Sequence, residues 1–267
     1  MREQQFGREY IERELRELGE EVEDYLEIYL IGGGAMSFLN LKDATKDIDV
    51  VASSPSEFSR LVETLETRDY LPVKQPESEY EQLGASAILE NEDSCRFDVF
   101  DRQVANKLIF SEGMKKRADK VLESGGLTVW LTSPEDIFLF KSVAGRSTDI
   151  EDMNTLVQTG LEFETIEGEM RTQTELLGEE VFVTHIGEAL TELQEQYGVT
   201  IPLTDYVEKR SEEAYEGLEV LMLIENEGPL STEEVVERTE IENVSERLDR
   251  LEEMGKIRQE GRSWVAS

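Results

Sequence analysis

The sequence predicts an α+β fold: a short mixed sheet flanked by helices, then a helical extension, then a small C-terminal domain. Three observations predict it. Short apolar runs of strand length alternate with amphipathic helical segments through residues 1–160. Residues 161–211 carry helical patterning without strong chemistry. Residues 212–267 change style, with three short helices followed by a hairpin.

Each element has a local reason. Residues 8–26 set Ile11, Leu15, Leu18, Val22 and Leu26 at helical spacing. The run 28–31 reads as a buried strand entering a tight turn at Gly32-Gly33-Gly34, and 35–41 as the short helix after it. Residues 47–52 form a second strand. Ser54-Pro55 opens a helix to about Thr67, with proline at an early position and Glu57 in the first turn. Residues 85–89, 95–100 and 127–131 are three further strand candidates. Ser133-Pro134-Glu135-Asp136 starts a helix to about Ala144, and 149–159 is the next. Toward the C-terminus, 212–225 is helical, Gly228-Pro229 breaks it, and Ser231-Thr232-Glu233-Glu234 caps a short helix to Arg238. A helix over 244–254 and a hairpin of 256–258 with 263–266 complete the chain. Three helices and a hairpin in this order resemble a winged helix-turn-helix.

Composition excludes several function classes. The single cysteine, Cys95, excludes an intrachain disulfide and a cysteine zinc cluster, and the single histidine, His185, excludes His-rich metal sites. No apolar run reaches membrane-spanning length, and the charged, helical N-terminus is unlike a secretory signal, so a cytoplasmic chain without membrane contact is expected. Asp and Glu number 61 against 27 Lys and Arg, a net charge of −34. The charge is spread along periodic, Leu- and Val-containing segments rather than gathered in a tail. It reads as a solvated acidic surface and resembles the cytoplasmic proteins of halophilic archaea.

The chemistry centres on Gly32-Gly33 at a strand-to-helix turn and Asp47-Ile48-Asp49 on the next strand. Alternation sends Asp47 and Asp49 to one side and Ile48 to the core. Two acids on one face of a core strand are costly unless a cation neutralises them, and hard oxygen ligands suit Mg²⁺. Glycines let backbone approach a phosphate, and the following helix offers it free N–H groups. Asp98 brings a third acid on another strand, with Asp101 offering a competing register. Asp43, Asp93, Asp101 and Asp136 read as solvated or capping residues.

Gly-Gly, a spacer, Asp-Ile-Asp and a later strand Asp are similar to the signature of the DNA polymerase β-like nucleotidyltransferase superfamily. The stretch Thr45-Lys46-Asp47-Ile48-Asp49 and the later Pro134-Glu135-Asp136-Ile137-Phe138-Leu139-Phe140-Lys141, with Ala144-Gly145-Arg146, Asp149 and Glu151-Asp152, resemble a subgroup within it. That subgroup holds stand-alone prokaryotic enzymes and the toxins of abortive-infection toxin–antitoxin systems. The resemblance covers roughly residues 25–160. It implies two Mg²⁺ or Mn²⁺ ions on Asp47, Asp49 and Asp98, an NTP substrate, and triphosphate contact by Lys141. It places Gly32, Gly33, Ser37, Lys46 and Arg146 around the nucleotide, and gives Asp149 or Asp152 a supporting role. Gly34 departs from the family's usual Ser or Thr, which is why Ser37 is the candidate hydroxyl.

Two functions are carried forward. The first is transfer of NMP from NTP to a hydroxyl of an RNA, protein or small-molecule acceptor, with a toxin role as one setting. The second is a winged-helix DNA-binding regulator or antitoxin-like protein with a non-catalytic transferase-like domain. For the C-terminal domain, DNA binding competes with dimerisation and acceptor presentation, because its third helix carries Glu246, Asp249, Glu252 and Glu253 beside Arg247 and Arg250. A homodimer or an antitoxin is the expected protein partner. In molar salt, charge repulsion is screened within about 3 Å, so the melting temperature should rise between dilute and molar KCl. A melting temperature that stayed level or fell across that range contradicts the acidic-surface reading.

Overall fold

The structure, a computed structural model, describes residues 4–73 and 84–267. Contacts divide the chain into two compact units, Met1–Glu169 and Met170–Ser267. Among the described residues, no helix is long and apolar enough to cross a membrane.

The first unit runs α1 (Arg8–Glu21), β1 (Leu26–Leu30), α2 (Gly32–Phe38), β2 (Asp47–Ala52), α3 (Pro55–Thr67), β3 (Leu71–Pro72), β4 (Ala87–Glu90) and β5 (Arg96–Asp101). It continues with α4 (Glu112–Arg117), β6 (Asp119–Ser124), β7 (Leu127–Leu131), α5 (Pro134–Ala144), α6 (Ser147–Val157) and the start of α7 (Phe163–Leu177). Seven strands make one sheet in the order β6-β7-β1-β2-β5-β4-β3. The pairs β7/β1 and β2/β5 are parallel and the other four are antiparallel. The central strands read as near-continuous apolar runs because both of their faces are covered. Ile28, Leu30, Ile48, Val50, Val51, Val99 and Val129 are all fully buried.

Helix α1 lays Ile11, Leu15 and Leu18 against the sheet, each fully buried. It approaches the β6–β7 turn backbone to backbone: the Gly126 N–H donates to the Gly19 carbonyl at 3.1 Å. A Cβ on Gly19 would lie 2.3 Å from the Ser124 carbonyl oxygen, so no larger residue fits without a shift. Helix α1 therefore ends at Glu21 rather than at 26, where Leu26 already pairs with Leu127 in the sheet. Strand β6 was not expected. It is a half-exposed edge in which only Leu122 is buried, so its residues carry no apolar run. The segments over 87–90 and 96–101 are strands at nearly the expected positions.

The second unit contains the end of α7, then α8 (Phe182–Tyr197), α9 (Thr204–Glu227), β8 (Leu230–Ser231), α10 (Thr232–Arg238), α11 (Val244–Glu253), β9 (Ile257–Glu260) and β10 (Ser263–Ala266). The strands form a three-stranded sheet in the order β8-β10-β9. Val220, Ile224, Val235, Leu248, Ile257 and Trp264 share its core. The boundary at 211/212 was expected from the change of style in the sequence. Helix α9 runs unbroken for 24 residues across that position, so the helical segment from 170 and the C-terminal elements share one compact unit. Ser231 and Glu234 form the reciprocal cap that the sequence implied.

Replacing Gly19 with Ala is expected to destabilise the protein by about 1–3 kcal/mol through overpacking against the Ser124 carbonyl. A denaturant midpoint equal to that of the wild type would show that the contact relaxes freely.

Candidate active site

Strands β2 and β5 run parallel in a register that sets Asp49 opposite Asp98 and Asp47 opposite Arg96. The same register sets Ile48 opposite Phe97 and Val50 opposite Val99, which all point into the core. Three acids thus share one face of the sheet, and one oxygen from each of Asp47, Asp49 and Asp98 lies within 4.8 Å of the others. Asp98 resolves the competing register, because Asp101 sits at the strand end opposite Ala52.

The glycine turn is fitted to this cluster. Gly32 has φ +61°, and a Cβ on it would lie 2.1 Å from Oδ2 of Asp49. Only glycine tolerates both the left-handed backbone and the close approach. The Ile31 N–H donates to the Asp49 carbonyl at 3.0 Å, which ties the turn to β2. A side chain on Gly33 would strike Thr45, whose hydroxyl donates to Oδ1 of Asp47 at 3.3 Å.

Beside Asp47 and Asp49 lies a cavity of about 360 Å³ whose lining includes Gly33, Lys42, Lys46, Lys141 and Arg146. One wall is a chain of ion pairs. The Lys141 ammonium is 2.8 Å from Asp149 Oδ1 and 2.7 Å from Asp152 Oδ2. Arg146 donates to both Asp149 oxygens, at 2.7 and 3.1 Å. Lys42 donates to both Asp152 oxygens, at 2.9 and 2.8 Å.

The two groups of acids differ in electrostatic state. Burial opposes the charged form of Asp149, but Lys141 and Arg146 outweigh it and hold its carboxyl down at about 2. Burial likewise works against the Lys141 charge, and Asp149 and Asp152 overcome it, raising the ammonium above its ordinary value. Asp98 goes the other way. Burial first, and then the neighbouring Asp47, push it up to about 7 against the opposing pull of Arg96 and Arg146. Asp49 is also raised, by burial and then by Asp47 and Asp98.

Residues 9–181 match a family described as nucleotidyltransferases of unknown function (DUF6036). The chain belongs to this family. No curated protein matches it. The match takes in the sheet, the glycine turn, the three acids and the ion-pair wall, and residues from 182 onward lie outside it.

A divalent metal fits this nucleotidyltransferase on chemical grounds. Both carboxylate oxygens of Asp98 are buried, and neither has a hydrogen-bond partner among the described residues. An acid left so is either neutral or awaiting a cation. Asp47 and Asp49 complete an all-oxygen ligand set suited to Mg²⁺ or Mn²⁺. Arg96, 3.6 Å from Asp47 Oδ2, partly balances the cluster.

Of the residues expected around a nucleotide, Gly33, Lys46, Asp47, Asp49, Lys141 and Arg146 line the cavity, and Gly32 lies directly beneath Asp49. Asp98 sits beside Asp49 and is fully buried. Ser37 is not brought to the cavity: it is buried in α2, and its hydroxyl donates to the Gly33 carbonyl at 3.2 Å. A side chain at Gly34 would press on Leu30, so that position does not face the cavity either. The Lys141 ammonium, expected at the triphosphate, is held between two carboxylates. Asp136, expected to be solvated or capping, is buried against Arg117: Ser133 caps α5 by accepting from the Asp136 N–H, and the Asp136 carboxylate accepts from the Ser133 hydroxyl. Lys42 and Arg96 were missed. Arg96 was findable, since the alternation that unites Asp47 and Asp49 also unites Arg96 and Asp98. Lys42 lies in a loop with no periodicity to reveal it.

The shift at Asp98 has a linkage consequence. The folded protein keeps this proton up to about 7, whereas an ordinary carboxyl releases it near 3.8. The unfolded chain binds fewer protons in that window, so metal-free stability should fall as pH rises through it. Asp98→Asn should flatten the fall and abolish the stabilisation that Mn²⁺ gives the wild type near pH 8. Thermal melts at pH 5 and 8, with EDTA or Mn²⁺, read both effects, and a variant that keeps the wild-type slope would falsify the assignment.

Proposed function

We propose that this protein is a metal-dependent nucleotidyltransferase that moves a nucleoside monophosphate from an NTP to an acceptor hydroxyl on an RNA, a protein or a small molecule. The observation that carries the reading is the register of β2 and β5, which sets Asp98 beside Asp49 within reach of Asp47 and next to a cavity carrying cations. A new bond joins the acceptor oxygen to the α-phosphorus as the hydroxyl gives up its proton to solvent, the bond to the β-phosphate bridge breaks, and pyrophosphate leaves with the electron pair. Two divalent ions on Asp47, Asp49 and Asp98 would supply neutralisation of the triphosphate and the leaving pyrophosphate. Gly33 brings the backbone of the glycine turn to the cavity wall, and the absence of its Cβ lets Thr45 pack against it. Lys46 and Arg146 add positive charge at the cavity wall, and Asp149 orients Arg146 through two hydrogen bonds.

The C-terminal unit has the element order of a winged helix, and we read it as one. The alternative function, a DNA-binding regulator, would need basic side chains turned to phosphates. On α11, Arg247 holds Glu213 and Glu216, and Arg250 holds Glu180 and Glu253. In the hairpin region, Lys256 lies 3.8 Å from Glu179, and Arg258 holds Glu260. These pairs favour the enzyme reading, with the winged helix serving dimerisation or acceptor presentation. The acidic surface supports a cytoplasmic setting at high salt, and the toxin role rests on family resemblance alone.

The test is incubation with labelled NTPs, Mg²⁺ or Mn²⁺ and a total RNA and protein extract in molar KCl. Label should pass to an acceptor. Asp47→Asn and Asp49→Asn should each lower transfer by more than about 100-fold, beyond the range usual for outer-sphere partners of a metal. Absence of transfer together with specific retention of a DNA fragment would establish the regulator instead.

A further inference from the structure

Two lysines flank Asp152, and their surroundings assign them different work. Lys141 is 5% exposed and bridges Asp149 and Asp152, which are themselves buried. Turning its ammonium toward a ligand would take a cation from two buried carboxylates at once, a large cost in a low-dielectric setting. Among the described residues Lys42 holds Asp152 alone, and its side chain is 31% exposed at the cavity wall. If Lys42 swings away, Asp152 keeps Lys141 as its partner and no buried charge is stranded. The Lys42 stem also crosses the glycine turn: its Cδ lies 3.8 Å from where a Cβ on Gly33 would stand. Gly33 and Lys42 both line the cavity, so the ammonium on this stem sits beside the glycine turn.

We propose that Lys42 is the exchangeable cation of the site, leaving Asp152 to bind the terminal phosphates of the NTP, while Lys141 stays fixed as a brace for Asp149 and Asp152. This rests on the nucleotidyl-transfer reading and names the residue that reads the polyphosphate. Lys42 acts by binding, and the pyrophosphate it holds is the group that leaves. An arginine at 42 can make the same contact, and an uncharged side chain of similar length cannot.

The experiment measures equilibrium binding of a non-hydrolysable NTP, with Mg²⁺, to the full chain in KCl, with pyrophosphate as competitor. Melting temperatures are recorded alongside. Lys42→Met should weaken both the NTP and pyrophosphate by roughly tenfold or more, the worth of one charge-assisted hydrogen bond, with little change in melting temperature. Lys42→Arg should restore most of the binding. Lys141→Met should instead lower the melting temperature by about 6 °C or more, as expected when a buried ion pair loses one partner. Wild-type NTP affinity in Lys42→Met overturns the proposal and leaves the transfer reading standing. So does a selective loss of NTP binding in a Lys141→Met protein that melts like the wild type. A wild-type protein that binds no NTP, and whose Asp47→Asn variant behaves identically, overturns the transfer reading and this proposal with it.

Discussion

Everything in the first unit is organised around the parallel pairing of β2 with β5. One register settles two matters together. It stacks Ile48 on Phe97 and Val50 on Val99 in the core, and on the opposite face it sets Asp49 against Asp98. A slip of one residue would turn the acids inward and the apolar residues outward, so the core that stabilises the sheet also enforces the crowding of the carboxylates. Gly32 follows from the same constraint. With Oδ2 of Asp49 only 2.1 Å from the position of a Cβ, the turn after β1 must be glycine for the acid to sit where the register puts it.

Crowded acids must be neutralised or stay protonated, and this protein shows both outcomes side by side. Asp149 is buried yet held at about 2, because Lys141 and Arg146 contact it directly. Asp98 is equally inaccessible yet pushed up to about 7, by burial and then by Asp47, and among the described residues no hydrogen bond reaches either of its oxygens. Burial alone therefore does not separate structural from functional carboxylates here. What separates them is whether the fold supplies the countercharge. Asp149 and Asp152 have theirs built in, whereas around the three strand acids Arg96 beside Asp47 balances only part of the charge, an arrangement that would suit a ligand completing the electrostatics.

The parts legible in the sequence were those where context made a residue improbable. Asp47 and Asp49 stood out because Ile48, Val50 and Val51 mark a core strand, and in so acidic a chain the pair alone would have meant little. Asp98 followed from the same logic, though only pairing could prefer it to Asp101. Strand β6 was invisible because an exposed edge needs no apolar run. The continuity of α9 was hidden because residues 204–227 change from polar to apolar partway along one helix. The Ser37 hydroxyl, near the glycines in sequence, turns back to its own helix and donates to the Gly33 carbonyl. The ion-pair wall could not be read as geometry, since Lys42 and Asp152 meet across 110 residues.

The acidic surface bears on how such a site must attract a nucleotide. With 61 acids against 27 bases, the protein as a whole repels a polyphosphate. Molar salt screens that repulsion to about 3 Å, but it screens long-range attraction just as thoroughly. Steering from a distance is then of no use, and only cations in direct contact with the phosphates contribute. The cavity gathers Lys42, Lys46 and Arg146 on its walls, with Lys141 held between Asp149 and Asp152. In the absence of a ligand, these same cations would bring electrostatic strain unless partners of opposite charge stood nearby. Asp149 and Asp152 are those partners, so acids in the wall are compatible with a pocket that, on the proposed reading, takes an anion. They hold Lys42, Lys141 and Arg146 in place without a nucleotide, and on the proposed reading Lys42, the most exposed of these three, is the one the fold releases at least cost.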